Sequence, residues 1–286
     1  MAEYLRPETL ASALDALRGD ALNAAPFSVL AGGTDFYPAR VDRALDDDVL
    51  DISAVAGLRG IEERGDHWRV GALTTWSDLL RAELPPLFDG LKLAAREIGG
   101  VQIQNRGTLG GNLCNASPAA DGVPPLLALG ASVELSSAAG TEILALGDFI
   151  LGARRTALQT DQLLTALTVP KPRQARAAGH FLKLGARKYM VISIVIVAAN
   201  VEVDGTGMVS AARIAAGACS EIACRLPALE AALIGNICAD GLGEAAAAAH
   251  LAPLAPLDDL RGTAEYRRDA ALTLVRRVLN ELGARA

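Results

Sequence analysis

The 286-residue chain is poor in aromatic side chains (4%), has only four cysteines and three histidines, and carries no excess of positive charge. Each shortage removes a class of chemistry. Cys114, Cys219, Cys224 and Cys238 show no C-x-x-C spacing, and His67, His180 and His250 lie far apart. No local zinc or iron–sulfur signature exists, although distant residues could still converge. A formal net charge of −6 gives no electrostatic footprint for nucleic acid or an anionic membrane surface, so neither partner is expected. The longest strongly apolar run, Met190 to Ala199, is about half of what a bilayer-spanning helix needs. The first residues, with Glu3 and Asp15, show no signal-peptide pattern, and a cytoplasmic protein is expected. Walker, H-E-x-x-H and G-x-S-x-G motifs are also missing, and with them the common hydrolytic and phosphate-transfer sites.

What remains is an ordinary folding composition, 51% hydrophobic and 21% charged, long enough for two or three lobes around one cleft. Pro7, then Leu10, Leu14 and Leu17 at helical spacing, predict an amphipathic helix that Gly19 would stop. Phe27 to Ala31 and Val49 to Ile52 read as short strands. From about Leu58 the pattern becomes mixed α+β, with strands at His67–Val70, Ser132–Leu135 and Leu163–Val169 and helices near Ser77–Arg81 and Leu91–Ile98. Pro170 and Pro172, among Lys171, Arg173 and Arg176, mark a linker. Beyond it, strands are expected at His180–Leu184, Val191–Val203 and Val209–Gly217, with a turn at Asp204-Gly205. The alanine-rich stretch Ala245–Ala249 is expected to be helical. A closing helix should bury Tyr266, Ala270, Leu274, Val278 and Leu282, with Arg267, Arg268, Arg276 and Arg277 off that stripe. Trp68 and Trp76 are expected in the core, and Asp46-Asp47-Asp48 as a solvated turn. The expected lobes are 1–57, 58–172 and 173–286.

Two segments carry chemistry. Val29-Leu30-Ala31-Gly32-Gly33-Thr34-Asp35-Phe36 is a strand that ends in paired glycines followed by a hydroxyl and a carboxylate. Such a turn can converge successive backbone N–H groups on an anion such as phosphate. Gly107-Thr108-Leu109-Gly110-Gly111-Asn112-Leu113-Cys114-Asn115-Ala116-Ser117-Pro118-Ala119-Ala120-Asp121 has neither helical nor strand periodicity and little apolar burial to offset its ordering entropy. A pyrophosphate gripped by amides, Thr108 and Asn112 would compensate, and Asp121 could accept hydrogen bonds from sugar or ribityl hydroxyls. The alternative is an irregular buried connection packed by Leu113 and Pro118. The two segments suit one diphosphate held from both sides, unlike the single G-x-G-x-x-G turn of a Rossmann unit.

The paired motifs Ala31-Gly32-Gly33-Thr34-Asp35 and Thr108-Leu109-Gly110-Gly111-Asn112, with Asn115 to Asp121, resemble the FAD-binding medium subunit of molybdenum hydroxylases, the group of xanthine dehydrogenase and aerobic carbon monoxide dehydrogenase. The resemblance covers essentially the whole chain. It implies an α+β architecture: a two-lobed FAD-binding fold of the vanillyl-alcohol oxidase type, followed by an α+β C-terminal domain. It also implies FAD here and the remaining cofactors on partners, a molybdenum cofactor in a large subunit and [2Fe-2S] clusters in a small one. Electrons would pass from the clusters through FAD to NAD, oxygen or a quinone.

Carried over position by position, Leu30, Ala31, Gly32, Gly33, Thr34, Asp35 and Phe36, with Thr108, Leu109, Gly110, Gly111 and Asn112, would hold the pyrophosphate. Asp121 would touch the sugar or ribityl portion, Ile98 and Leu164 would pack on cofactor rings, and Lys183 would stand beside the flavin, where a cation favours its reduced anionic form. Ile98 and Leu164 read equally as core, and Lys183 as a solvated lysine. No catalytic side chain or metal ligand is expected in this chain. With scattered cysteines, the [4Fe-4S] insertion of some relatives is not expected, and Tyr189-Met190-Val191 departs from the small or acidic residue often found there. Two other functions stay open: a self-sufficient flavin oxidase or reductase, for which the three histidines are poor bases, and a flavin-free assembly protein.

Overall fold

The structure, a computed structural model, describes residues 3–20, 27–42 and 46–285. A three-stranded parallel sheet opens the chain, with β3 (Val49–Asp51) between β1 (Tyr4–Leu5) and β2 (Ser28–Leu30). Helix α1 (Leu10–Asp20) begins where the Thr9 hydroxyl accepts from the Ser12 amide. It buries Ala13, Leu14 and Leu17 against Leu50, Ile52 and Val55. Gly19 does not stop it. A glycine in an exposed helix costs only about 1 kcal/mol relative to alanine, and the helix runs through it to Asp20.

The next lobe is built on an antiparallel sheet ordered β4-β5-β10-β6-β7. Its strands are β4 (Ile61–Glu63), β5 (His67–Gly71), β6 (Ser132–Ser137), β7 (Gly140–Ala145) and β10 (Leu163–Pro170). Around it run α2 (Trp76–Arg81), α3 (Asp89–Glu97), α4 (Val101–Arg106), α5 (Leu109–Asn115), α6 (Val123–Ala128) and α7 (Leu146–Phe149), and the small hairpin β8 (Ile150–Gly152) and β9 (Arg155–Thr156). Trp68, Trp76, Phe88, Leu109, Leu113 and Phe149 all lie in one core cluster.

The last lobe is an antiparallel sheet of β11 (Arg176–Leu184), β12 (Val195–Val203), β13 (Val209–Gly217) and β14 (Cys224–Arg225), with α8 (Pro227–Leu233) and α9 (Ala264–Gly283). Every residue of β12 is buried. Val195, Val197 and Ala199 face a cluster containing Val275, Val278 and Leu279 of α9. Ile196 and Ala198 face Ala94 of α3 and Ala128 of α6. A strand covered on both faces loses the period-two alternation of a half-exposed one, which explains the apolar run and joins this lobe to the preceding one.

Three expectations change. The strand expected from Val191 begins at Val195, because Met190 turns left-handed (φ 48°) while Arg187 donates to its carbonyl. The Ala245–Ala249 stretch forms two 3-10 turns, Leu242–Ala245 and Ala248–Leu251, not an α-helix. There Gly243 is pinned to α9, its amide donating to Asn280 Oδ1 at 2.6 Å, so a tertiary contact outweighs alanine's propensity. In α9, Tyr266 is exposed while Arg267 is buried. The Arg267 guanidinium donates to the carbonyls of Ile194 (2.6 Å) and Ala218 (2.7 Å) and to Asp259 Oδ1 (2.5 Å). Among the described residues, no helix is long and apolar enough to cross a membrane.

Candidate functional site

Strand β2 ends at Leu30, which is buried, and the chain turns through Ala31 to Phe36. Gly33 takes φ +77°, a conformation that costs glycine least. Gly32 permits a close approach: a Cβ there would lie 2.0 Å from the Arg106 carbonyl oxygen. The two glycine-rich segments are therefore in direct contact. Among the described residues, the amides of Gly32, Gly33, Thr34, Asp35 and Phe36 donate to no acceptor. Five successive unspent donors on one turn can form an anion-binding concavity.

The second segment is not the irregular loop its composition suggests. It is a helix, α5, capped by Thr108, whose hydroxyl accepts from the Gly111 amide at 3.0 Å. Leu109 donates to Thr74 O, Gly110 to Ala72 O and Asn112 to Thr108 O, so the first-turn amides are already used. Leu109 is buried in the core, and Gly110 is small because a Cβ would meet Ala72 at 2.7 Å. The expected symmetric grip by amides from both segments is thus corrected. The first turn supplies free N–H groups and the second supplies side chains, Thr108 and Asn112. The Asn112 Oδ1 atom is buried without a hydrogen-bond partner, a cost that a ligand donor would remove.

Both segments line a cleft of about 380 Å³. A second cleft of about 440 Å³ shares Asp35, Ile98, Ile103, Asn112 and Asn115 with it and continues to Asp121, Met190 and Ile192. Each volume is within the range of small-ligand sites. Ala31 to Phe36, Thr108, Gly111 and Asn112 line the first cleft, Ile98 both, and Asp121 the second. Leu30, Leu109 and Gly110 lie behind the wall. Leu164 sits opposite Leu135 in the middle of the five-stranded sheet, in the core and away from either cleft.

Lys183 is not solvated: its ammonium lies 2.7 Å from Asp121 Oδ2, and both side chains are nearly inaccessible. Ser193 donates to Asp121 Oδ1 at 2.5 Å. Burial pushes the Asp121 carboxyl upward, and the Lys183 charge with the two hydrogen bonds opposes that shift. Asp121 comes from the connection between α5 and α6 and its partners from the last lobe, so this network joins two lobes beside the second cleft. Asp121 lines that cleft, while Lys183 lines a separate one with Leu93, Phe181 and Arg187.

Some cleft residues escaped the sequence. Trp76 belongs to the core yet also lines the first cleft, as does Cys114, accessible through its mouth although protein surrounds the thiol and pushes it up to about 12. Arg40 lines it too. Its partner Asp47 is more than part of a solvated turn, at 2.7 Å from the guanidinium. The one sequence signal was a pair of arginines, Arg40 and Arg43, between a glycine turn and a run of aspartates.

A family model described as the FAD binding domain in molybdopterin dehydrogenase matches residues 1–172. A second, described as the CO dehydrogenase flavoprotein C-terminal domain, matches residues 180–282. The chain is 30% identical to the nicotine 6-hydroxylase medium subunit of Paenarthrobacter nicotinovorans, over 99% of this chain and 97% of that protein. It is 32% identical to the carbon monoxide dehydrogenase medium chain of Afipia carboxidovorans, over 99% and 97%. Among solved structures, a chain of carbon monoxide dehydrogenase from Hydrogenophaga pseudoflava superposes with a TM-score of 0.86 at 31% identity, covering 98% of this chain and 96% of that one.

Proposed function

The chain belongs to the family of FAD-binding medium subunits of molybdenum hydroxylases, and from that premise we propose that it is the electron exit of such an oxidoreductase. In this reading a large subunit with a molybdenum cofactor oxidises the substrate, and a small subunit relays electrons through [2Fe-2S] clusters. This chain hands them to NAD, oxygen or a quinone. Its three lobes, 1–57, 58–172 and 173–286, would then be two that hold FAD and one that closes over it.

The residues present fit FAD. The observation that carries the assignment is the row of five unspent amides, Gly32 to Phe36, on a turn that lines one cleft together with Thr108 and Asn112. The amides, the Thr34 and Thr108 hydroxyls and the Asn112 side-chain NH2 would hold the diphosphate as donors. Ile98 would pack on a cofactor ring, and Asp121 would be reached through the sugar or ribityl hydroxyls. Lys183 would set a fixed positive charge beside the second cleft, held in place by Asp121. Bound FAD supplies a two-electron centre, and the chain's own task is to bind it, orient it and restrict what reaches it.

The test is isolation of the chain from its native cell with whatever accompanies it. Flavin and iron–sulfur absorbance together with molybdenum is the expected result, and acid should release FAD rather than FMN. A colourless chain, or one bearing FMN without partners, would overturn the assignment.

A further inference from the structure

The five amides are useful only if the turn that carries them is held rigid, and apolar burial does not hold it. The short 3-10 turn Pro38–Arg40 that follows contains no buried residue, and Tyr37 and Val41 are 59% and 79% exposed. The side chain that ties this segment down is Arg40. Its Nη1 donates to the Phe36 carbonyl at 3.1 Å, and its Nη2 donates to Ser28 Oγ at 3.0 Å. Nε and Nη2 reach Asp47 Oδ2 at 3.0 and 2.7 Å. The guanidinium carbon also lies 3.9 Å from the centre of the Phe36 ring. Ser28 precedes the amide row on β2, Phe36 ends it, and Asp47 stands just before β3. One planar cation thus joins both ends of the turn to the strand that follows.

We propose that Arg40 is the positioning residue of the diphosphate site, fixing the Gly32–Phe36 amides in the convergent geometry before the cofactor arrives. The proposal rests on the FAD assignment above and deepens it. Arg40 acts through the turn rather than as a counter-charge to phosphate. Four hydrogen bonds commit the guanidinium to protein acceptors, and Asp47 neutralises it. Pre-ordering of this kind contributes affinity by removing the ordering cost from the binding step. The planar fork and the ring stack are properties of arginine that lysine lacks.

The experiment uses the full chain stripped of flavin, with Arg40→Ala and Arg40→Lys beside the unmodified protein. FAD is titrated by flavin fluorescence, ADP by calorimetry as a probe of the diphosphate half, and each apoprotein is melted. Both variants should bind FAD and ADP at least about tenfold more weakly, with apoprotein melting points shifted by no more than about 2 °C, since the 3-10 turn that carries Arg40 contains no buried residue. Wild-type affinity in Arg40→Ala would overturn the proposal. So would wild-type affinity in Arg40→Lys, which would make the charge alone responsible, and so would a loss of affinity in Arg40→Lys matched by collapse of its apoprotein. If Arg40→Ala does not fold, Arg40→Lys carries the test. Failure of the unmodified chain to bind FAD would instead remove the functional assignment itself.

Discussion

At the scale of single residues, glycines that look alike in sequence do different work. A side chain at Gly32 would strike a main-chain oxygen, whereas one at Gly111 would meet the Thr108 hydroxyl at 2.8 Å, an atom that can move only by giving up its cap of α5. Gly32→Ala should therefore abolish flavin retention and lower stability by about 1–3 kcal/mol. Gly111→Ala should retain more of both, losing about 1 kcal/mol with the displaced cap. The ratio of flavin to protein after gel filtration and the unfolding midpoint separate them, and equal behaviour of the two variants would contradict the geometry. Lys183→Met should cost about 3–5 kcal/mol, because it strands the Asp121 carboxylate in the interior. Adding Asp121→Asn should recover part of the loss. The sign of the pH dependence follows. Without its cation, the Asp121 carboxyl keeps a folded pKa above its unfolded one, so Lys183→Met should gain stability as pH falls through the carboxylate range. Urea titrations at several pH values test this.

At the scale of elements, caps show how local sequence becomes local structure. Thr75 and Asp78 form a reciprocal capping box at the start of α2, and Arg59 adds two hydrogen bonds to the same carboxylate, at 2.8 and 2.9 Å. Burial would raise the Asp78 pKa, but Arg59 and Thr75 outweigh it and hold the carboxyl down at about 2. A depressed carboxylate contributes stability above its unfolded pKa and loses it as pH falls through the folded one. Asp78→Asn should thus cost about 2 kcal/mol at neutral pH and little at pH 2; an equal cost at both would exclude the ion pair as the cause. Helix α2 was legible in the sequence. Helix α5 was not, because two adjacent glycines hide a helix whose first amides are satisfied by Thr74 and Ala72, residues distant in sequence. The Arg267 staple was hidden for the same reason, since nothing local distinguishes it from Arg268, which has no such partners among the described residues.

At the scale of the whole molecule, the last lobe supplies the Met190–Ile192 side of the second cleft and packs against α3 and α6 through small side chains. Ala94, Ala128, Ala198 and Ala218 form that seam with Phe181 and Ile196. Ala198→Leu should overpack it, lowering stability by about 1–3 kcal/mol. It should also weaken FAD binding, because the Asp121–Lys183–Ser193 network forms beside the second cleft only when the lobes sit in register. Differential scanning calorimetry and flavin titration of the same variant test the link, and a destabilised protein with unchanged flavin affinity would break it.

The sequence alone determined the α+β class, most strands, and the two glycine-rich segments that mark the site, because periodicity and backbone permissiveness are local properties. Which amides remain free, that Asp121 and Lys183 find each other across 62 positions, and that Arg40 anchors the turn were decided only in three dimensions. A donor is spent or unspent according to what folds against it, and that neighbour lies elsewhere in the chain.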